Sequence, residues 1–258
     1  MTPRFLNAAI SALRLRGPVM VITSHLRIIW LAGYNDNMKQ LPPIELILNA
    51  YAQGLFPMAE GADAETFSWY EAPRRGILSI ENLHISRRLR QTVLRAPFEV
   101  RVDKDFAGVI DGCAAPRKKR QTTWINKGIR DLFVALHEAG YAHSVECWKD
   151  DTLAGGVYGL AIGGVFCGES MFSARRDASK VALVHLCARL WRGGFTLFDT
   201  QLVNPHLRQF GVHEITRHEY LYALQKALNL PADFQLRHGP VLSEKDMARA
   251  YLAALADG

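Results

Sequence analysis

The chain has 258 residues, 49% of them hydrophobic and 22% charged, enough for a substantial core in one large domain or two small ones. No low-complexity tract interrupts it, which excludes extensive disorder, and a formal charge of +6 favours a polyanionic partner without naming one. Cys113, Cys147, Cys167 and Cys187 are widely separated and include no Cys-x-x-Cys pair. That spacing argues against a disulfide framework or a zinc knuckle, and for reduced, mostly buried thiols in a cytoplasmic protein.

Residues 1–40 are read as an N-terminal extension, disordered or produced by a start codon assigned too early, with Met38 as the alternative start. Val19 to Tyr34 is apolar in patches, but His25 and Arg27 interrupt it and it is too short to cross a bilayer. Pro42 and Pro43 precede Ile44, Leu46, Ile47, Leu48 and Tyr51, the pattern of a short helix with proline in its first turn, stopped by Gly54. An irregular aromatic segment runs from Phe56 to Tyr70, followed by a strand-like Gly76–Ile80. Ser86 is a candidate N-cap for a helix to Leu94 that carries Arg87, Arg88 and Arg90, with Arg95 just beyond.

The pattern then changes. Phe98–Val102 alternates like a half-buried strand, Asp105–Cys113 reads as a helix, Pro116–Arg120 as a basic loop and Lys127–Ala139 as a second helix. Strand signals follow at His143–Trp148, Leu153–Ala161 and Val165–Met171, with turns at Asp150-Asp151 and Gly163-Gly164. A long helix, Ala178–Trp191, leads to an extended run from Thr196 to Val203; Leu207–Phe210 and Arg217–Leu228 close the core. The expected fold is α/β (α+β), with a small α/β domain over 41–97, a larger domain over 98–230 and an accessory tail over 231–258 bearing one helix, Ser243–Ala256.

Two places carry chemistry. Glu169 lies among Cys167, Met171 and Phe172, where a bare charge is costly unless it is paired or binds something. Asp199 and Gln201 stand two residues apart in the Thr196–Val203 run, so strand alternation would place carboxylate and carboxamide on one face. Such a pair suits holding an amine and polarising a carbonyl; the bland alternative is that the two side chains pair with each other at a strand end.

Gly54-Leu-Phe-Pro57, His84-Ile-Ser-Arg87, Thr122-Thr-Trp-Ile125 and Gly168-Glu-Ser-Met-Phe-Ser173, in this order over residues 41–228, resemble the leucyl/phenylalanyl-tRNA–protein transferases. The resemblance implies transfer of Leu, Phe or Met from aminoacyl-tRNA to the N-terminal Arg or Lys of a protein, creating a destabilising N-terminus for the bacterial N-degron pathway. It implies a GNAT-like acyltransferase domain and catalytic roles for Asp199 and Gln201, with Glu169 tuning Asp199 or receiving the basic N-terminal residue. Aminoacyl-tRNA is an activated ester, so the reaction needs no ATP, metal or redox cofactor, and nothing demands more than a monomer or a membrane. An apolar, adaptable pocket for Leu or Phe is expected from Met171, with Phe166, Phe172, Ser173, Leu183 and Leu186 around it. A stacking surface for adenine is expected from Trp124, then Trp69 and Tyr70, with Met58 packing on the base in place of an aromatic. Arg87, Arg88, Arg90, Arg95 and the Arg117–Arg120 loop are candidates for tRNA phosphates.

Two rivals stand against this. An acetyl-CoA enzyme would need a glycine-bearing loop at Ala174–Lys180, which has none and carries Asp177. A non-catalytic RNA-binding module would leave Glu169, Asp199 and Gln201 without purpose.

Overall fold

The computed structural model describes residues 41–116 and 121–257, together with the backbone of two earlier strands. Those strands, β1 (Arg16–Thr23) and β2 (Leu26–Leu31), lie in the segment read as an extension. β2 pairs with β4 (Ser68–Glu71), and β4 with β3 (Phe56–Met58), giving a four-stranded antiparallel sheet in the order β1-β2-β4-β3. α1 (Ile44–Ala52) follows Pro43 as expected, and Gly54 ends that turn at φ 80°, a left-handed conformation that suits glycine.

The main body is a seven-stranded mixed sheet. Its strands are β5 (Arg74–Leu78), β6 (Glu99–Val102), β7 (Ala142–Lys149), β8 (Thr152–Ile162), β9 (Val165–Ser173), β10 (Leu197–Gln201) and β11 (His213–Thr216), in the order β11-β5-β10-β9-β8-β7-β6. Of these neighbours only β9 and β10 are parallel. β5 comes from residues 41–97, so the stretch read as a separate small domain contributes a strand to the large sheet. The turn at Asp150-Asp151 has both residues left-handed (φ 49° and 53°), as a two-residue hairpin turn requires.

Two apolar layers cover the sheet. One face packs α1, α3 (Phe106–Ala114), α4 (Lys127–Glu138) and α7 (Arg217–Leu228) through residues such as Ile110, Leu132, Phe133 and Tyr220. The other face packs α2 (Arg87–Arg95), α5 (Ala178–Arg192) and α8 (Glu244–Asp257) through Val93, Leu186, Tyr251 and Leu252. The tail helix α8 is thus part of the core: Met247 and Tyr251 are fully buried. The cap read at Ser86 is present, its hydroxyl accepting from the Leu89 backbone N–H, and Asp105 and Asn126 cap α3 and α4 in the same way, accepting from the Gly108 and Ile129 N–H groups. α7 begins with a capping box between Thr216 and Glu219. No described helix is long and apolar enough to cross a membrane.

The glycines of β8 stand where β9, β7 and the covering helices leave no room for a Cβ. A Cβ on Gly159 would stand 2.3 Å from the Cys167 carbonyl oxygen and 2.6 Å from the Phe166 ring, against backbone that cannot yield. Gly159→Ala is therefore expected to destabilise the protein by about 1–3 kcal/mol or more. Gly61→Ala, where the added methyl meets nothing within 4 Å, should stay within about 0.5 kcal/mol of wild type. Urea unfolding of the two variants checks this, and equal stability would contradict the packing described.

Candidate active site

Two bulges and one parting of strands build the site. β9 and β10 run parallel with Leu197 opposite Val165 and Asp199 opposite Cys167, and the pairing stops there. On β9 the ladder to β8 passes from Gly168 to Ser170, leaving Glu169 as the extra residue of a bulge. On β10 the ladder to β5 passes from Asp199 to Gln201, leaving Thr200 extra. The bulged residues are re-aimed into the gap, a cavity of about 310 Å³ whose walls include Trp124, Met171, Leu183 and Phe198.

Asp199 sits behind the gap and is completely buried. Arg75 grips it bidentately, Nε to Oδ1 at 2.8 Å and Nη2 to Oδ2 at 2.7 Å. The Tyr220 hydroxyl donates to Oδ2 at 2.8 Å and the Gln201 backbone N–H to Oδ1 at 2.8 Å. The Cys167 thiol adds a long contact of 3.8 Å. Arg75 is itself buried, lies between the Phe56 and Tyr220 rings at 4.7 and 4.5 Å, and donates to the Gly54 carbonyl. Every lone pair of Asp199 thus has a donor within the protein, and none is left to take a proton from a substrate.

What Asp199 does is hold Gln201. Gln201 has φ 54°, the left-handed region that a residue with a Cβ enters only at a cost of about 1–3 kcal/mol unless its surroundings fix it. The Asp199–N–H bond and the bulge fix it. The two residues do come together as expected, but through carboxylate and backbone N–H rather than as an alternating side-chain pair.

The Gln201 carboxamide faces the gap. Its Nε2 donates to Glu169 Oε1 at 3.2 Å, and the Tyr51 hydroxyl donates to the same oxygen at 2.8 Å. Gln201 Oε1 and Glu169 Oε2 have no partner among the described residues. Glu169 remains partly open to the cavity, yet burial pushes its carboxyl up to about 8; the Tyr51 hydrogen bond opposes the rise and the Asp199 charge adds to it. Burial, then the Glu169 charge, raises the Tyr51 hydroxyl well above its ordinary value, so it is a donor at any physiological pH. The site therefore presents an amide oxygen, a carboxyl oxygen and an apolar wall to a common space.

Among the residues singled out in sequence, Met58, Trp124, Glu169, Met171, Leu183 and Gln201 line this cavity. Phe166 and Leu186 lie in the core beneath the opposite face, Phe166 packed edge-on to Phe198 and stacked on Phe234. Phe172 is buried on the first face. Ser173 accepts from the Ser179 N–H and tethers the start of α5. Trp69 and Tyr70 are buried in the small sheet, Trp69 edge-on to Tyr51, with neither on the cavity wall. Arg87, Arg88 and Arg95 are exposed on α2 and Arg90 is half-buried; Arg88 pairs with Asp177 at 3.1 Å. The Arg117–Arg120 loop lies outside the described residues.

Sequence reasoning missed Arg75, Tyr220 and Tyr51. A signal existed for the first: Arg75 abuts an apolar, strand-like run, where a guanidinium must find a buried anion. Tyr51 and Tyr220 lie on helices distant in sequence and gave none. The cluster Asp103–His137–His143 was also not foreseen. In it His143 Nδ1 lies 2.8 Å from Asp103, and Gln235 Nε2 donates to the same carboxylate at 2.9 Å.

The family described as Leucyl/phenylalanyl-tRNA protein transferase matches residues 77–225, and its N-terminal domain matches residues 43–73. The leucyl/phenylalanyl-tRNA–protein transferase of Nitrobacter winogradskyi is 55% identical over 190 residues, 74% of this chain and 84% of that one. That of Rhodopseudomonas palustris strain BisB18 is 52% identical over 204 residues, 79% of this chain and 88% of the other. Among solved structures, L-PGS from Bacillus licheniformis is 13% identical, covering 80% of this chain and 62% of its own at a TM-score of 0.36, a likeness too slight to assign a fold. Identity above one half across most of both chains, with matches to both family domains, places this chain in the leucyl/phenylalanyl-tRNA–protein transferase family.

Proposed function

We propose that the protein is an aminoacyltransferase that moves Leu, Phe or Met from aminoacyl-tRNA to the N-terminal Arg or Lys of a protein in the cytoplasm, marking it for degradation. The observation that carries this reading is the gap between β9 and β10, where Gln201 Oε1 and Glu169 Oε2 face an apolar wall without partners among the described residues. The parting of two parallel strands beside a helix also supports a GNAT-like reading of the fold, in which an acyl donor enters that gap.

The chemistry is modest. The donor is already an activated ester, and an α-amino group titrating near ~8 is partly neutral at cytoplasmic pH. The amine nitrogen bonds to the ester carbonyl carbon, the carbon–oxygen bond to the ribose breaks, and the amine's proton leaves with that ribose oxygen. Positioning supplies most of the acceleration. Gln201 Oε1 accepts from the attacking amine and aligns its lone pair; a carboxamide is too weak a base to remove the proton outright. Asp199, held by Arg75 and Tyr220, keeps Gln201 in its left-handed conformation and does not touch the substrate. Glu169 Oε2 receives the acceptor's guanidinium or ammonium, a charge-assisted pair in a poorly solvated site. Met171 and Leu183 meet the amino-acid side chain, and Trp124 with Met58 meets the adenine.

Purified protein given Phe-tRNA with labelled Phe should label peptides beginning with Arg or Lys and leave an Ala peptide unlabelled. Label on all three would remove the acceptor rule. Label on none, with a blank insensitive to tRNA, would remove the transferase reading and leave the acetyl-CoA rival.

A further inference from the structure

We propose that a second, basic cleft, next to the first and separated from it by the short helix α6 (Pro205–Arg208), seats phosphodiester groups near the 3′ end of the donor RNA. The inference rests on the transferase reading above and adds a site to it. The cleft is lined by His84, Arg88, Lys180 and Arg208, against the single acid Asp177, with Phe210 at its base. Only Arg88 among these was foreseen as a phosphate contact.

Its placement is what points to a ligand running out of the cavity. α6 gives His206 and Leu207 to the cavity wall, and the next two residues, Arg208 and Gln209, to the cleft. α5 repeats the arrangement: Leu183 lines the cavity, and Lys180, three residues earlier on the same helix face, lines the cleft. One helical turn advances about 5.4 Å, and on both elements an apolar residue of the cavity wall (Leu207, Leu183) gives way to a cation of the cleft (Arg208, Lys180) within less than that distance. A molecule with an apolar acyl end and an anionic chain matches that order.

The charges are available. Asp177 is mostly shielded and acts as an anchor, with Arg88 at 3.1 Å, Arg176 at 3.8 Å and Lys180 at 3.9 Å. Arg88 stays exposed while so held, and Lys180 is further fixed by donating to Gln209 at 3.0 Å. Arg208 is exposed and meets no carboxylate among the described residues. Burial, and after it the Lys180 ammonium, holds His206 below its ordinary value, so Lys180 lies within electrostatic reach of the cavity wall. Cations held in place but left open to solvent are the usual means of gripping phosphates without reading bases.

The test compares wild type with Arg88→Gln/Arg208→Gln, and with Arg208→Gln alone, which breaks no ion pair among the described residues. Binding of deacylated tRNA is measured over a salt series, and transfer is measured from Leu-tRNA and from leucyl-adenosine, a donor without phosphate. The double variant should bind tRNA about tenfold more weakly at moderate salt, with the log–log salt slope reduced by about 0.7 to 1 for each contact removed. Its KM should rise far more for Leu-tRNA than for leucyl-adenosine, and the single variant should show the same contrast at smaller size. An unchanged salt slope, or equal losses on both donors, would overturn the proposal. A wild-type protein that transferred from neither donor would sink the transferase reading, while the salt slope would still decide the cleft.

Discussion

Arg75→Met is expected to lose about 3–5 kcal/mol of stability and all measurable transfer, although Arg75 touches no substrate. The substitution keeps only the unbranched stem, ends short of the guanidinium, and strands Asp199 as a fully buried carboxylate without its bidentate partner, the situation in which removing one member of a buried pair is most costly. It also frees the Gly54 carbonyl and empties the space between the Phe56 and Tyr220 rings. Arg75→Lys should be intermediate, since an ammonium cannot reproduce the planar fork. The double variant Arg75→Met/Asp199→Leu separates structure from catalysis. With both charges gone it should regain a large part of the lost stability in urea unfolding, because the desolvation of two ions no longer has to be repaid. It should still be inactive, because nothing then holds the Gln201 N–H and its left-handed turn. A double variant that recovers transfer along with stability would show that the Asp199 network is a core ion pair and nothing more.

That network marks where sequence reading ran out. The helices over 44–52, 87–95 and 178–192 were legible because proline, serine and glycine punctuate their ends and apolar residues repeat at the helical period. The hairpin of β7 and β8 was legible from Asp150-Asp151, and Asp199 and Gln201 from their polarity in an apolar run. β3 and β4 were not, because three- and four-residue strands give no periodicity of their own, and β11 has only four residues, most of them exposed. The residues expected around the amino-acid pocket divide by a rule that needs coordinates. Met171 faces the gap, whereas its neighbours Phe172 and Ser173 turn into the core and to the start of α5. The bulge at Glu169, which sets that register, leaves no trace in composition. Arg75 could have been suspected; that its partner would be Asp199, 124 residues away, could not.

The second large effect is expected at Glu169, and it carries a pH signature. Glu169→Gln is nearly isosteric and can retain a hydrogen bond from Tyr51, so the fold should survive. What it removes is the negative charge facing the acceptor. Transfer to an Arg peptide should fall by about 2–4 kcal/mol in transition-state terms, roughly 30- to 1000-fold in kcat/KM, while transfer to a norleucine peptide, already lacking the cation, should fall much less. Below pH 8 two groups of the wild-type reaction must shed protons: Glu169, raised to about 8 by burial, and the acceptor's α-amino group, near ~8. The logarithm of kcat/KM for an Arg peptide should therefore climb with a slope approaching about 2, and in Glu169→Gln with a slope of about 1. Stability should move the other way. The folded protein holds the Glu169 proton more tightly than the unfolded chain, whose value is near 4.5, so this contribution is fully present below that value. It is lost as the pH rises through 8, and Glu169→Gln should lack this decline. Equal slopes in the two proteins, with an unaltered preference for Arg over norleucine, would mean that Glu169 neither titrates in the cycle nor meets the acceptor. The carboxylate that reads the N-terminus would then have to be sought elsewhere than between β9 and β10.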